Sequence, residues 1–219
     1  MGITIGKRLI ALCSLLALLL AGSGCLHVAP VSQDIMDDSD LRLCVAQVVL
    51  DFLESPWMVA QSQGNRPVGT LFVNLPQNYG AASVRTASGA MRSFDIDRDF
   101  MRPILRAIRD EAGCRSFWSG LRERHPDVWG RLCARLGENG QTWQPPELPR
   151  VFFSDIGYRL DGTCMYALNV TFTQTTKRSG DNRSTDDFRF MVHLVDIESA
   201  EMVLSSVVSI QHKWKRSFM

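Results

Sequence analysis

The chain has 219 residues, 24 Lys plus Arg against 23 Asp plus Glu, and 45% hydrophobic residues. That length allows one domain with a proper core. The near-neutral balance excludes nucleic acid or an anionic surface as a partner recognised through bulk charge, so partners must be read by shape and local pattern.

The leader comes first in chain order. Lys7-Arg8 precedes an apolar run from Leu9 to Ala21, and Gly22-Ser23-Gly24-Cys25 follows. Two cations ahead of a stretch too short to span a bilayer comfortably, closed by small residues, make an export signal over residues 1–24. The cysteine directly after it resembles the lipidation site of bacterial lipoprotein precursors, with Gly22 where leucine is commoner. An uncleaved membrane helix is the competing reading. Cys25 is therefore expected to be acylated and to hold the protein on a membrane, since two or more chains anchor stably. Leu26 after the cysteine, rather than aspartate, favours the outer membrane with the domain facing the periplasm. Residues 25–38 carry Pro30 and no apolar period and are expected to be a short tether, keeping the domain within about 20 Å of the lipid.

A first helix is expected from Ser39 or Asp40, either of which can cap it, with Leu41, Cys44, Val45, Val48, Val49 and Phe52 on one buried face and Ser55-Pro56 as its stop. After a loop over 61–66, the segment from Pro67 to Leu75 suits a central strand covered on both faces. Residues 76–93 are rich in Gly, Ala, Ser and Asn and are expected to be a partner-facing loop carrying Tyr79, Arg85 and Arg92. A second helix, capped by Asp95 or Asp97, has the stripe Phe100, Met101, Ile104, Leu105 and Ile108, with Gly113 as its stop. Pro103 requires a kink or a regular start near Arg102. Residues 116–119 allow a short strand. A third helix carries Leu121, Val128, Trp129, Leu132, Cys133 and Leu136, with Pro126 in its first turn and Gly137 at its end. Residues 138–149 are loop, and 151–157 are open between helical turn and strand.

The last sixty residues form an expected β-meander over 158–176, 186–197 and 201–213. Phe188, Phe190, Val192 and Leu194 share one face, while Met191, Val195 and Ile197 are also apolar, so helices are expected on both faces. The order implies an α+β sandwich with a mixed central sheet of about four strands over a single domain, 39–219.

Chemistry is scarce. Four histidines, His27, His125, His193 and His212, are scattered, and no nucleophile elbow, H-E-x-x-H or phosphate loop occurs, so no catalytic residue and no cofactor are expected. Asp34, Asp37, Asp38 and Asp40 lack the glycine and terminal glutamate of a calcium loop and are better explained by the helix terminus, so no metal site is expected. Cys44, Cys114, Cys133 and Cys164 are an even set suited to disulfides in an oxidising compartment and equally to buried thiols. Arginines over 98–109 and 115–135 read as a solvated face or as a partner patch. Trp143, in a loop between Gln and Pro residues, is the candidate exposed anchor. The tail Lys213-Trp214-Lys215-Arg216 is weakly basic and aromatic.

Several segments in this order resemble the LpoB-type penicillin-binding-protein activator lipoproteins. Asp40-Leu41-Arg42-Leu43, Phe52-Leu53-Glu54-Ser55-Pro56-Trp57 and Pro67-Val68 are similar to that family's opening. Phe94-Asp95-Ile96-Asp97 with Phe100 and Leu105 is similar to its second helix. Ile156-Gly157-Tyr158-Arg159-Leu160-Asp161-Gly162 and Val195-Asp196-Ile197-Glu198-Ser199-Ala200-Glu201 are similar to its later strand and terminal hairpin. The chain departs in its short tether and in Ala200, which replaces a turn glycine. The resemblance implies a fold like the N-terminal domain of TolB and stimulation of a bifunctional penicillin-binding protein, a peptidoglycan synthase, by a monomer that is not an enzyme. The competing class is a structural or assembly lipoprotein of an envelope or secretion complex.

Overall fold

The computed structural model describes residues 35–62, 69–137, 143–146, 153–179 and 183–215. The leader, Cys25, Asp34, His27, most of the 138–149 loop, the turn at 180–182 and Arg216 lie outside the described residues, as do the side chains of Trp214 and Lys215. The chain divides after Gln33, and the second unit runs from Asp34 to Met219. Its last expected tether residues belong to the fold: Ile35–Asp37 form strand β1, and helix α1 is Asp38–Leu53.

Helix α1 buries the expected stripe together with Ala46, Leu50 and Leu53, because it packs against the sheet on one side and other helices on the other. Neither Ser39 nor Asp40 caps it. Asp37 occupies the cap position without a side-chain bond, and the Asp38 and Asp40 carboxylates are committed to Arg42 at 2.7 Å and Arg131 at 2.6 Å. Ser55 then separates α1 from α2, Pro56–Ser62, which occupies the start of the expected loop. The Ser55 hydroxyl donates to the Phe52 carbonyl at 2.8 Å and accepts from the Met58 N–H at 3.1 Å, and Pro56 needs no donor at a first helical position.

Strand β2 is Thr70–Val73. The expected loop over 76–93 instead holds β3 Gln77–Tyr79, β4 Ser83–Arg85 and β5 Met91–Ser93. Ladder bonds to residues 171–173 and to β1, distant in sequence, impose extended structure on residues with little strand preference of their own.

Pro103 decides the second helix. A π-helical turn over Asp97–Met101 precedes α3, Arg102–Arg109, and the Arg102 N–H returns to the Asp97 carbonyl five residues back. Proline has no N–H to continue the ladder, and the widened turn absorbs the mismatch. Asp95, not Asp97, takes the capping role, its carboxylate accepting from the Arg98 N–H at 3.0 Å. Gly113 is no stop. The helix ends at Arg109, and Asp110 caps the next one, α4 Glu111–Arg124, by accepting from the Gly113 N–H at 2.7 Å. Residues 116–119 are helical, because Cys114, Trp118 and Leu121 recur on its buried side. Helix α5, Pro126–Leu136, begins at its proline and ends before Gly137, which leaves the helix in an extended conformation that needs no glycine.

Strand β6 is Asp155–Gly157, and the meander is β7 Cys164–Ser179, β8 Arg183–Asp196 and β9 Met202–Lys215. The main sheet has six strands in the order β6-β2-β7-β8-β9, with β3 also on β7; β2 runs parallel to β6 and β7, and the meander is antiparallel. A second sheet, β1-β4-β5, has three strands. The class is α+β with mixed sheets, and the strand count exceeds the expected four because the short strands are legible only in three dimensions.

The core lies on one face of the main sheet, where Phe172 and Phe190 meet Phe94, Phe188 stacks on Phe172, and the Phe100 and Phe190 rings stack at 4.3 Å. Among the described residues the second face carries no such cover: Met191 and Val195 are half-buried, and Met165, Met202 and Val207 are exposed by 51%, 57% and 56%. At the last turn Ala200 adopts a φ of 57°, the left-handed conformation that glycine accepts without strain.

Candidate docking cleft

Between the end of β2, the π-helical turn with α3, and β6 lies a cleft of about 980 Å³. Its position is set at Asn74. The Asn74 N–H donates to the Leu168 carbonyl at 3.0 Å, its side-chain amide donates to Asn169 Oδ1 at 3.0 Å, and its own Oδ1 accepts from the Leu75 N–H at 2.9 Å. That clamp turns Leu75 outward, 80% exposed at the cleft edge. Across the cleft, Asp155 accepts from the Ile156 N–H at 2.8 Å, and Tyr158 stands 58% exposed just beyond β6, followed by Leu160 at 60%. Met101, Leu105 and Phe153 form the apolar floor. Arg102 pairs with Asp97 at 2.7 Å on the wall. Exposed apolar side chains around a concave apolar floor, with a charged rim, match a protein-docking surface.

The four residues expected to bind a partner are not gathered there. Tyr79 is exposed on β3, farther along the same edge of β7, its hydroxyl donating to Gln77 Oε1 at 3.3 Å. Arg85 lies in the small sheet, 4.0 Å from Asp37. Arg92, on the adjacent strand, is a fold residue: its guanidinium joins Asp38 at 3.3 Å and also donates to Asp99. Trp143 is no exposed anchor, because it packs against Trp118 and Trp129 with ring centroids 5.7 Å away in each case. Leu75, Tyr158 and Leu160 escaped the sequence reading because their exposure depends on backbone anchorage far along the chain.

Asp99 sits at the junction of three elements. Its burial would raise its pKa, but the Arg98 guanidinium, the Asp95 N–H and Arg92 outweigh that and hold the carboxyl below the usual range. Cys44, Cys114, Cys133 and Cys164 form no disulfide. Burial, and then Asp40, push the Cys44 thiol up to about 12. The Cys164 thiol donates to the Arg159 carbonyl and to Asp161, each at 3.6 Å. His193 lies half-buried on a strand, and His212 reaches Asp40 at 3.3 Å. Asp37, Asp40 and His212 bring ligand atoms within 4.8 Å of one another, yet the Asp40 oxygens are already shared between Arg131 and His212. Among the described residues no helix is long and apolar enough to cross a membrane.

No family model matches the chain, and no curated protein matches it. Among solved structures, a Xanthomonas campestris protein of the DUF330 family aligns with a TM-score of 0.26 and 10% identity over 68% of this chain and 70% of its own. The lipoprotein GNA1162 of Neisseria meningitidis aligns with a TM-score of 0.25 and 12% identity over 68% of this chain and 87% of its own. Likenesses of this size assign the chain to no family.

Proposed function

We propose that the protein is a lipid-anchored envelope protein of the outer membrane, facing the periplasm, that activates a bifunctional penicillin-binding protein through contact at the docking cleft. Segment-by-segment resemblance to the LpoB-type activators supports the reading, and the observation that carries it is the pair Leu75 and Tyr158 held outward over an apolar floor. Activation of this kind requires tighter binding to the active than to the resting state of the synthase. The cleft needs no chemistry of its own for that role.

The test is glycan-strand synthesis by purified bifunctional synthases with and without the protein. Stimulation is expected, and Leu75→Asp with Tyr158→Ala should weaken it about tenfold or more, as loss of central anchors does, while the melting temperature stays near that of the parent. Stimulation that survives both changes would displace the cleft; failure to stimulate any bifunctional synthase would displace the activator reading.

The assembly reading rests on a different observation, the second face of the main sheet, open among the described residues, with Met202 and Val207 on β9, which no described strand pairs on its outer edge. Such an edge is a template for strand addition. A concentration-independent monomer in sedimentation favours the activator, and a closed oligomer favours assembly.

A further inference from the structure

Adjoining the docking cleft along Arg106, Arg109 and Asp110 lies a second groove, of about 610 Å³, walled by α1, α3 and α4. Arg42, Arg92, Arg98, Arg106, Arg109 and Arg124 line it, against the carboxylates of Asp38, Asp99 and Asp110. Those carboxylates are already engaged. Asp38 holds Arg42 and Arg92, and Asp99 holds Arg92 and Arg98. Asp110 caps α4 and meets Arg109 only at 3.9 Å.

Arg106 and Arg124 are left without a carboxylate among the described residues, on two different helices facing one concavity. The Arg124 side chain, though exposed, folds back over Gly120, into the space that a side chain there would fill. His125, at the groove end, has its pKa lowered by burial and by Arg42, and therefore adds no positive charge at neutral pH. The floor is apolar, with Leu41, Val45, Pro103, Phe117 and Leu121. A volume of this size suits a small organic ligand.

We propose that this groove binds a phosphate group carried on an apolar body, with Arg106 and Arg124 clamping the phosphate oxygens and the apolar part resting on Phe117 and Leu121. Guanidinium forks match phosphate oxygens in pairs and are weakly hydrated, so they release water readily. A phosphate monoester carries up to about two negative charges near neutral pH, which suits two unneutralised guanidinium groups better than the single charge of one carboxylate. The groove shares Arg106, Arg109 and Asp110 with the docking cleft, whereas Arg124, Phe117 and Leu121 belong to the groove alone, and its phosphate has two chemical sources, a free phosphate compound or a lipid headgroup.

Calorimetric titration of the intact protein in a phosphate-free neutral detergent, with inorganic phosphate, dihexanoyl phosphatidic acid, dihexanoyl phosphatidylcholine and a hexaglutamate peptide, tests the proposal. Saturable binding of a phosphate probe is expected, falling about tenfold or more in Arg106→Ala/Arg124→Ala. Arg122→Ala/Arg135→Ala, which removes two arginines that do not line the groove, should leave it unchanged. Arg106→Gln alone gives a milder version of the same loss should the double variant lose its fold. Phosphatidic acid binding tighter than inorganic phosphate identifies the lipid source, and equal binding identifies the free source. The proposal is overturned if neither phosphate probe binds, if both double variants weaken binding equally, or if hexaglutamate alone binds, which would make the groove a receptor for an acidic segment.

Discussion

Cys44 combines a core position with a titratable group, and its environment makes a pH-dependent prediction. An unfolded thiol ionises near 8.5, whereas burial and Asp40 push the folded one up to about 12. Between those values the folded chain keeps a proton that the unfolded chain releases. The stabilisation is therefore complete below the unfolded value and is lost as pH rises toward the folded one, by up to about 1.4 kcal/mol per pH unit. Urea unfolding near pH 8 and pH 10 should show a smaller drop in midpoint for Cys44→Ala than for the parent. Equal drops would mean that the thiolate is tolerated in the core. Asp99 has the opposite sign: its lowered pKa gives stability that is present above the ordinary carboxylate range and is lost as pH falls through the folded value.

At the scale of elements, the junction of α3 and α4 is the tightest point. A Cβ on Gly113 would sit 2.1 Å from the Arg106 carbonyl oxygen, a distance no real contact tolerates. Gly113→Ala must therefore push the two helices apart and should cost about 2 kcal/mol in chemical denaturation; an unchanged midpoint would mean that the junction yields freely. The first helix and the one after Pro126 were legible because burial writes itself into a three-and-four spacing, whereas α4 was missed behind the apparent stop at Gly113; the meander was legible through Phe188, Phe190, Val192 and Leu194, all essentially buried. The segment over 76–93 was not, since strands of three residues hold too little period to be read and owe their extension to distant partners. The docking cleft was illegible for a related reason: nothing near Leu75 in the sequence reveals that Asn74 is clamped to Leu168 and Asn169. Arg92 misled because a loop arginine and an arginine buried against Asp38 and Asp99 look alike in sequence.

For the whole molecule the leading expectation is attachment at Cys25. Full-length protein should incorporate radiolabelled palmitate and fractionate with membranes, and Cys25→Ser should lose the label and move to the soluble fraction, because stable anchoring takes more than one acyl chain. A Cys25→Ser protein that stays in the membrane with its leader intact would point to an uncleaved helix. Wherever the anchor lies, a pull on the chain ahead of Ile35 first reaches β1, joined to β4 by only three residue pairs, Ile35 with Ser83 to Asp37 with Arg85. Those pairs run parallel, and immediately behind them Asp38 is tied to Arg42 and Arg92. The small sheet is thus the mechanical fuse of the domain. Tension sufficient to strip β1 would uncover the fully buried Met36 and leave the strand that carries Arg85 paired with β5.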